Sequence, residues 1–472
     1  MKQDSYVWPS LYDESREMLE GTYREKKSVR AKQQLVSVQQ THSTNPCVFL
    51  FISFFAGSVL IYAFADLRAV GREGKLTEDE QKMLALPVDA SQIINVVSAN
   101  IQDLKDHIKF GEETDFYLSS LTSLQKSLQK HAVDPSSGEA VYHFSQVVDF
   151  DDENSESELV YGIAVNSARK RITVCFRGSV TQNDFITDAK GFLTDIPNPV
   201  VSSGGNTVAV HHGFRGTIVT TYMQTICCLA LSSHAMNSSC VYACTEYLFG
   251  PGRQRRGVEA KQSKYEKITN KVLELLEEHP GFKVYVTGHS LGGALSTLFA
   301  FSSAADSRMP KPVTCINIAS PKVGGLSFRR AYHTLEQEGA LRSLRIANHK
   351  DLVTLLPDSE SFSCLYIACC QGSVFRHVGT ELKLYKNGSF QFFRPTETTS
   401  CLGQFCQDWS RQAKNAVLMI LTLPFMLFCQ EDFLKYHACR EYMDRLQKGS
   451  EKTQHMHLNT LHQDGHHITT TN

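Results

Sequence analysis

Six residues, Gly288-His289-Ser290-Leu291-Gly292-Gly293, carry the clearest chemical signal in this chain of 472 residues. The spacing G-x-S-x-G bends a strand sharply into a helix and lifts the serine hydroxyl into the open, where it can act as a nucleophile. Lys283-Val284-Tyr285-Val286-Thr287 before it reads as a buried strand, short and rich in β-branched and aromatic residues. Ala294 to Phe301 after it reads as a helix of small and apolar residues. Glycine permits the strained turn and lets the helix and strand backbones approach closely. The helix N-terminus directs its positive end at any oxyanion formed beside Ser290.

A serine hydroxyl is a poor nucleophile at neutral pH and needs a base, which in turn needs an orienting carboxylate. With this kind of elbow the partners follow in the order Ser, Asp, His. Asp351 comes shortly after the strand-like run Leu344-Arg345-Ile346-Ala347, so it is placed to face the elbow. Asp306, in the turn after the elbow helix, and Asp358, past Pro357, read as solvated rivals. For the base, order and context favour His377, which lies ahead of the strand-like Glu381-Leu382-Lys383-Leu384-Tyr385. His333 falls within a helix, His349 is too close to Asp351 in sequence, and His289 points away from Ser290 on a sharp turn. An oxyanion needs two donors. The backbone N–H of Leu291 supplies one, and Ser179, at the end of the strand closing in Phe176-Arg177-Gly178, is the candidate for the other. This chemistry calls for no metal and no organic cofactor.

The elements that must position these residues alternate between strand and helix from about residue 140. Leu159–Val165 and Ile172–Phe176 read as adjacent strands around the polar turn Asn166–Lys170. A helix over 263–279, the elbow strand and helix, and the strand Val313–Ile318 follow. Such alternation predicts an α/β fold with a mostly parallel central sheet flanked by helices, and a site beyond the carboxyl ends of the strands.

The rest of the chain bears on location. A net charge of −1 gives no footprint for a nucleic-acid partner. Cys47 to Ala65 is a run without charge, about 28 Å long as a helix, which predicts a transmembrane helix. Arg24, Lys26, Lys27, Arg30 and Lys32 precede it, against Arg68, Arg72 and Lys75 after it, so a lumenal or extracellular catalytic region is expected. Cys175 and Cys315 sit in strand-like runs and read as inert core thiols. The clusters Cys227–Cys244 and Cys364–Cys406 read as disulfides in a secretory protein, and none has convincing zinc spacing. Residues 223–262 read as an inserted surface loop, and Ala416–Cys429, interrupted by Pro424, as a buried or membrane-dipping segment. Leu434, Ala438, Tyr442 and Leu446 form a helical stripe, and the His-containing terminus reads as disordered.

Several ordered motifs resemble the class 3 lipases, the fungal triacylglycerol lipase-like branch of α/β-hydrolases. Tyr161-Gly162 precedes Phe176-Arg177-Gly178-Ser179, then come Asp184, Asp188 and His212-Gly213-Phe214. The elbow, Ser320-Pro321-Lys322-Val323-Gly324, Asp351-Leu352-Val353 with Leu356-Pro357, and His377-Val378-Gly379 complete the series. The resemblance covers roughly residues 140–395. It implies Ser290, Asp351 and His377 as the triad, Ser179 and Leu291 as the oxyanion hole, and residues 180–200 as a lid. Phe185 departs from the tryptophan the family often has there. With the apolar run, the resemblance implies a membrane-anchored serine lipase acting on ester bonds of glycerolipids, triacylglycerol above all, with lipid ester and membrane as its partners. A diacylglycerol-, phospholipid- or galactolipid-directed hydrolase, and a silent lipid-binding membrane protein, are the alternatives. The expected organisation is a polar tail over 1–46, the membrane helix over 47–65, a helical stalk over 66–135, the α/β-hydrolase domain over 136–447 and a tail over 448–472.

Overall fold

The computed structural model describes residues 46–107, 146–153, 159–167, 169–178, 193–211, 263–355, 375–393 and 435–453. The expectations for residues 180–192, for 223–262, for 416–429 and for the two cysteine clusters lie outside these. In chain order the N-terminal elements are α1 (Pro46–Arg72), α2 (Glu78–Met83), β1 (Val88–Asp89), α3 (Ala90–Ala99) and α4 (Ile101–His107). Then come β2 (Gln146–Asp151), β3 (Tyr161–Asn166), β4 (Arg171–Phe176), β5 (Leu193–Pro197) and β6 (Thr207–His211). The second half holds α5 (Lys264–Glu278), β7 (Lys283–His289), α6 (Leu291–Ala305), β8 (Val313–Ile318), α7 (Leu326–Gln337) and β9 (Leu341–Asn348). The hairpin β10 (Thr380–Leu384) and β11 (Phe390–Phe393), and the helix α8 (Cys439–Thr453), complete it.

The sheet runs β1-β2-β3-β4-β7-β8-β9-β10-β11. β4, β7, β8, β9 and β10 are parallel to their neighbours within that group. The β1–β4 flank and β11 are antiparallel, so the sheet is mixed where a mostly parallel one was expected. The reason is local. The polar turn after Asn166 is too short for a crossover, so β3 and β4 form a hairpin, while the parallel pairs β7–β8 and β8–β9 are each joined through a helix. Ser263 opens α5 with a reciprocal capping box to Glu266. On α7, Phe328, Ala331, Tyr332 and Leu335 form one buried face.

Two apolar clusters fill the two faces of the sheet. α5, α6 and α7 cover one, packing on Val284, Val286, Val313, Cys315 and Leu341. α1, α3 and α8 cover the other, packing on Tyr285, Ile316, Ile318, Leu344 and Leu382. Cys175 and Cys315 are buried free thiols, and burial pushes them up to about 12 and about 11.

The described side chains of the run expected to cross a membrane pack on the sheet. In α1, Val59, Ala63, Phe64, Leu67 and Val70 are essentially inaccessible within the protein. Ser58 Oγ lies 3.5 Å from Thr287 Oγ1 of β7, and Phe64 meets Phe150 of β2 edge-on at 4.6 Å. Ile61 fills the space that a Cβ on Gly162 would need. Arg68 and Arg72 both bond Asp152, which burial opposes but their hydrogen bonds hold below the usual carboxylate range. Neighbouring Asp151 takes Lys264 and Lys267 from the opposite layer. Among the described residues no helix is long and apolar enough to cross a membrane. Nor do the described residues of the 66–135 stretch stand apart, since β1 pairs with β2 and α3 shares the cluster of α1.

Candidate active site

β7 delivers its chain to the elbow, where Ser290 has φ 59° and ψ −126° and caps α6. A non-glycine residue there stores on the order of 1–2 kcal/mol. Ala319 (φ 56°), just past β8, and Lys350 (φ 75°), beside Asp351, also have positive φ, so three neighbouring strand ends carry a non-glycine residue in that half of conformational space. Ser290 N–H donates to Ile318 O at 2.9 Å, tying the turn to the end of β8. A Cβ on Gly288 would collide with the Gly292 backbone, and one on Gly292 with the Phe176 carbonyl. Glycine is thus required at both positions for helix and strand to close on each other.

Asp351 lies just beyond β9, its carboxylate wholly buried. The structure brings these two residues together with His437, and not with His377. His437 Nε2 is 2.9 Å from Ser290 Oγ, and its Nδ1 is 3.0 and 3.2 Å from the two oxygens of Asp351. The carboxylate only accepts, so Nδ1 carries the proton and Nε2 is left to receive the serine's. Asp351 also accepts from the Tyr442 hydroxyl at 2.6 Å and the Val353 N–H at 3.0 Å. Burial, and then the negative charge of Asp351, raise the Tyr442 phenol well above its ordinary value and keep it a donor.

His437 is held through its backbone as well. His289 Nε2 donates to the His437 carbonyl at 3.0 Å, and Asn348 Nδ2 donates to the Tyr436 carbonyl at 3.0 Å. The buried Arg445 guanidinium lies 5.4 Å from the Tyr436 ring centre and donates to the His349 and Leu384 carbonyls at the ends of β9 and β10. Burial, reinforced by the neighbouring His437, depresses His289 to about 3. It stays neutral beside His437 and does not oppose a positive charge on that ring.

His377 is placed elsewhere by strand direction. β10 is parallel to β9, and Leu382 is level with Ile346, Ile318 and His289, so the elbow is near the carboxyl end of β10. His377 precedes that strand. Its Nε2 lies 2.6 Å from the Thr354 carbonyl, and burial together with Arg345 pushes its pKa well below the ordinary value. Leu291 is the first residue of α6, so its N–H has no acceptor within the helix. Ser179 lies outside the described residues; Gly178, just before it, lies against the elbow, with a Cβ there 3.2 Å from the Ser290 Cβ. Asp306 pairs with Arg308 at 2.7 Å and His333 sits on α7, away from the triad as expected.

Sequence reasoning passed over His437 because no strand-end motif flanks it. Its signal is the helical stripe that follows it, Ala438, Tyr442 and Leu446, of which Tyr442 and Leu446 are buried. Among the described residues no group of His, Cys, Asp or Glu is arranged to hold a metal ion.

Residues 173–360 match the family model Lipase (class 3). That span contains the elbow and Asp351. Among curated proteins, the chain is 28% identical over 234 residues to "Galactolipase DONGLE, chloroplastic" of Arabidopsis thaliana, covering 46% of this chain and 41% of that one. It is 27% identical over 267 residues to "Phospholipase A1-Igamma2, chloroplastic" of the same plant, covering 53% and 42%. The chain thus spans about two-fifths of the length of these relatives. Among solved structures, the Rhizomucor miehei triacylglyceride lipase is similar at 20% identity and a TM-score of 0.34, covering 55% of this chain and 76% of that one.

Proposed function

We propose that this chain is a serine-dependent carboxylic ester hydrolase that acts on glycerolipids through an acyl-enzyme. The observation that carries this reading is the continuous hydrogen-bonded path Ser290–His437–Asp351 at a strained elbow. His437 takes the Ser290 proton as the oxygen attacks the ester carbonyl. Asp351 holds the imidazole in the required tautomer and stabilises the imidazolium. The Leu291 amide, at the positive end of α6, stabilises the tetrahedral oxyanion together with a donor from the chain beyond Gly178, for which Ser179 is the candidate. His437 then protonates the departing alcohol, and water, activated by the same base, releases the acid.

Two substrate readings have support. Triacylglycerol follows from the resemblance to the fungal branch. Phospholipid or galactolipid esters follow from the plant relatives named for those activities, and this polar reading has curated proteins of detectable sequence similarity behind it. Product analysis of the purified chain on tri-, di-, galacto- and phospholipids separates them. Ser290→Ala should lower kcat by about four to six orders of magnitude on the preferred lipid. Retention of most activity by that variant sinks the assignment.

A further inference from the structure

We propose that Tyr62 is a positioning residue of the oxyanion hole, acting through the Gly178 amide; this rests on the acyl-transfer reading above. Where β4 ends, the Arg177 N–H still finds a backbone acceptor, Val160 O, at 3.0 Å. The next amide, Gly178 N–H, donates to the Tyr62 hydroxyl at 2.8 Å. Proteins with this kind of elbow draw their second oxyanion donor from the loop after such an earlier strand, so fixing Gly178 fixes the start of that loop.

Three groups converge on Gly178. A Cβ there would collide with the Tyr62 hydroxyl, stand 2.6 Å from the His289 carbonyl oxygen and 3.2 Å from the Ser290 Cβ. The Tyr62 ring also meets His289 edge-on, 6.3 Å between centres. One side chain therefore touches both the strand exit and the residue before the nucleophile. Its position comes from α1, locked to the sheet through Ser58 on Thr287 and Ile61 over Gly162. Phenylalanine would pack there equally well, and a buried hydroxyl is costly unless hydrogen-bonded. What the hydroxyl adds is an acceptor for the one amide that has left the ladder.

The test uses the full chain with Tyr62→Phe, a water-soluble ester, and an alkyl boronic acid, which becomes tetrahedral and anionic on Ser290. The expected result is a fall in kcat of about tenfold or more with KM within about twofold. The boronate Ki should rise by the same factor. Activity within twofold of wild type overturns the proposal, and so does a fall in kcat without a matching rise in Ki. Phe64→Leu, on the same helix but packed on Phe150, is the control: it should lower the urea midpoint and leave kcat and Ki unchanged. If it moves kcat and Ki as Tyr62→Phe does, the effect belongs to helix packing and the proposal fails. The acyl-transfer reading stands or falls separately, on whether Ser290→Ala abolishes wild-type turnover.

Discussion

The two faces of the sheet are built from different parts of the chain. α5, α6 and α7 lie between the strands they cover, so each is fixed by its neighbours in sequence. α1 and α8 come from opposite ends of the described chain and meet across the other face, in one apolar cluster. The residues proposed for catalysis divide the same way. Ser290 and Asp351 sit at the ends of β7 and β9, while His437 and Tyr442 arrive with α8. Local connectivity supplies the nucleophile and the acid; the base depends on a long-range docking event.

The most severe break in this picture would come at the base. His437→Ala should lower kcat by about 10⁴- to 10⁶-fold, as for loss of the nucleophile. His377→Gln should stay within about tenfold, since that ring bonds Thr354 and not Ser290. Ester hydrolysis and the rate of Ser290 labelling by a fluorophosphonate measure both. If the His377 variant proves the dead one, the base comes from the locally connected part of the chain and the division fails.

That division also explains what was legible. G-x-S-x-G, the strand before Asp351 and the capped helix at Ser263 are each written in fewer than about twenty consecutive residues, where periodicity and turn chemistry act directly. His437 is separated from Asp351 by β10, β11 and a long stretch of sequence, and nothing in its neighbours marks it as a strand-end residue. The packing of Val59 to Ala65 on the sheet was illegible for a related reason. An uncharged helix satisfies a bilayer and a sheet face equally well, and composition does not say which. The polar positions that decide it are Ser58, Tyr62, Arg68 and Arg72, each with a partner more than 75 residues away in sequence.

Next in size is the support of the acid. Asp351→Asn should cost about 10⁴-fold in kcat by favouring the wrong tautomer of His437. Tyr442→Phe removes a hydroxyl that donates to Asp351 and accepts from the Asn348 N–H. Leaving such buried groups unpaired costs roughly 1–3 kcal/mol, about a tenfold loss if most of it falls on the transition state. An unaltered kcat in Tyr442→Phe would show that α8 needs to deliver the imidazole alone.

The packing of the two faces can be set side by side. Phe64→Ala on α1 and Phe328→Ala on α7 each empty a fully buried site and should each cost about 3–5 kcal/mol. Equal falls in the urea midpoint are expected. A midpoint untouched by Phe64→Ala would mean that α1 is not part of the cooperative core.

The last effect is a slope in pH, and two buried histidines contribute to it. His289, in the layer of α1 and α8, is depressed to about 3 by burial, and His377, beside Thr354, is also pushed well below its ordinary value by burial. Unfolding returns both to about 6.5. Between the folded and unfolded values the unfolded chain binds more protons than the folded one, so stability rises with pH across that window. Below about pH 6.5 each histidine should therefore lower stability as pH falls, with the loss ending as pH passes through its folded value. Urea midpoints at pH 7.5, 6 and 5 read the slope. His377→Gln should remove one share of it and leave the other, because His289 is shielded independently by Tyr62, His437 and Tyr442. If the His377 variant abolishes the whole acid dependence, the two histidines do not titrate independently, and the protonation that unfolds the protein is local to the segment before β10.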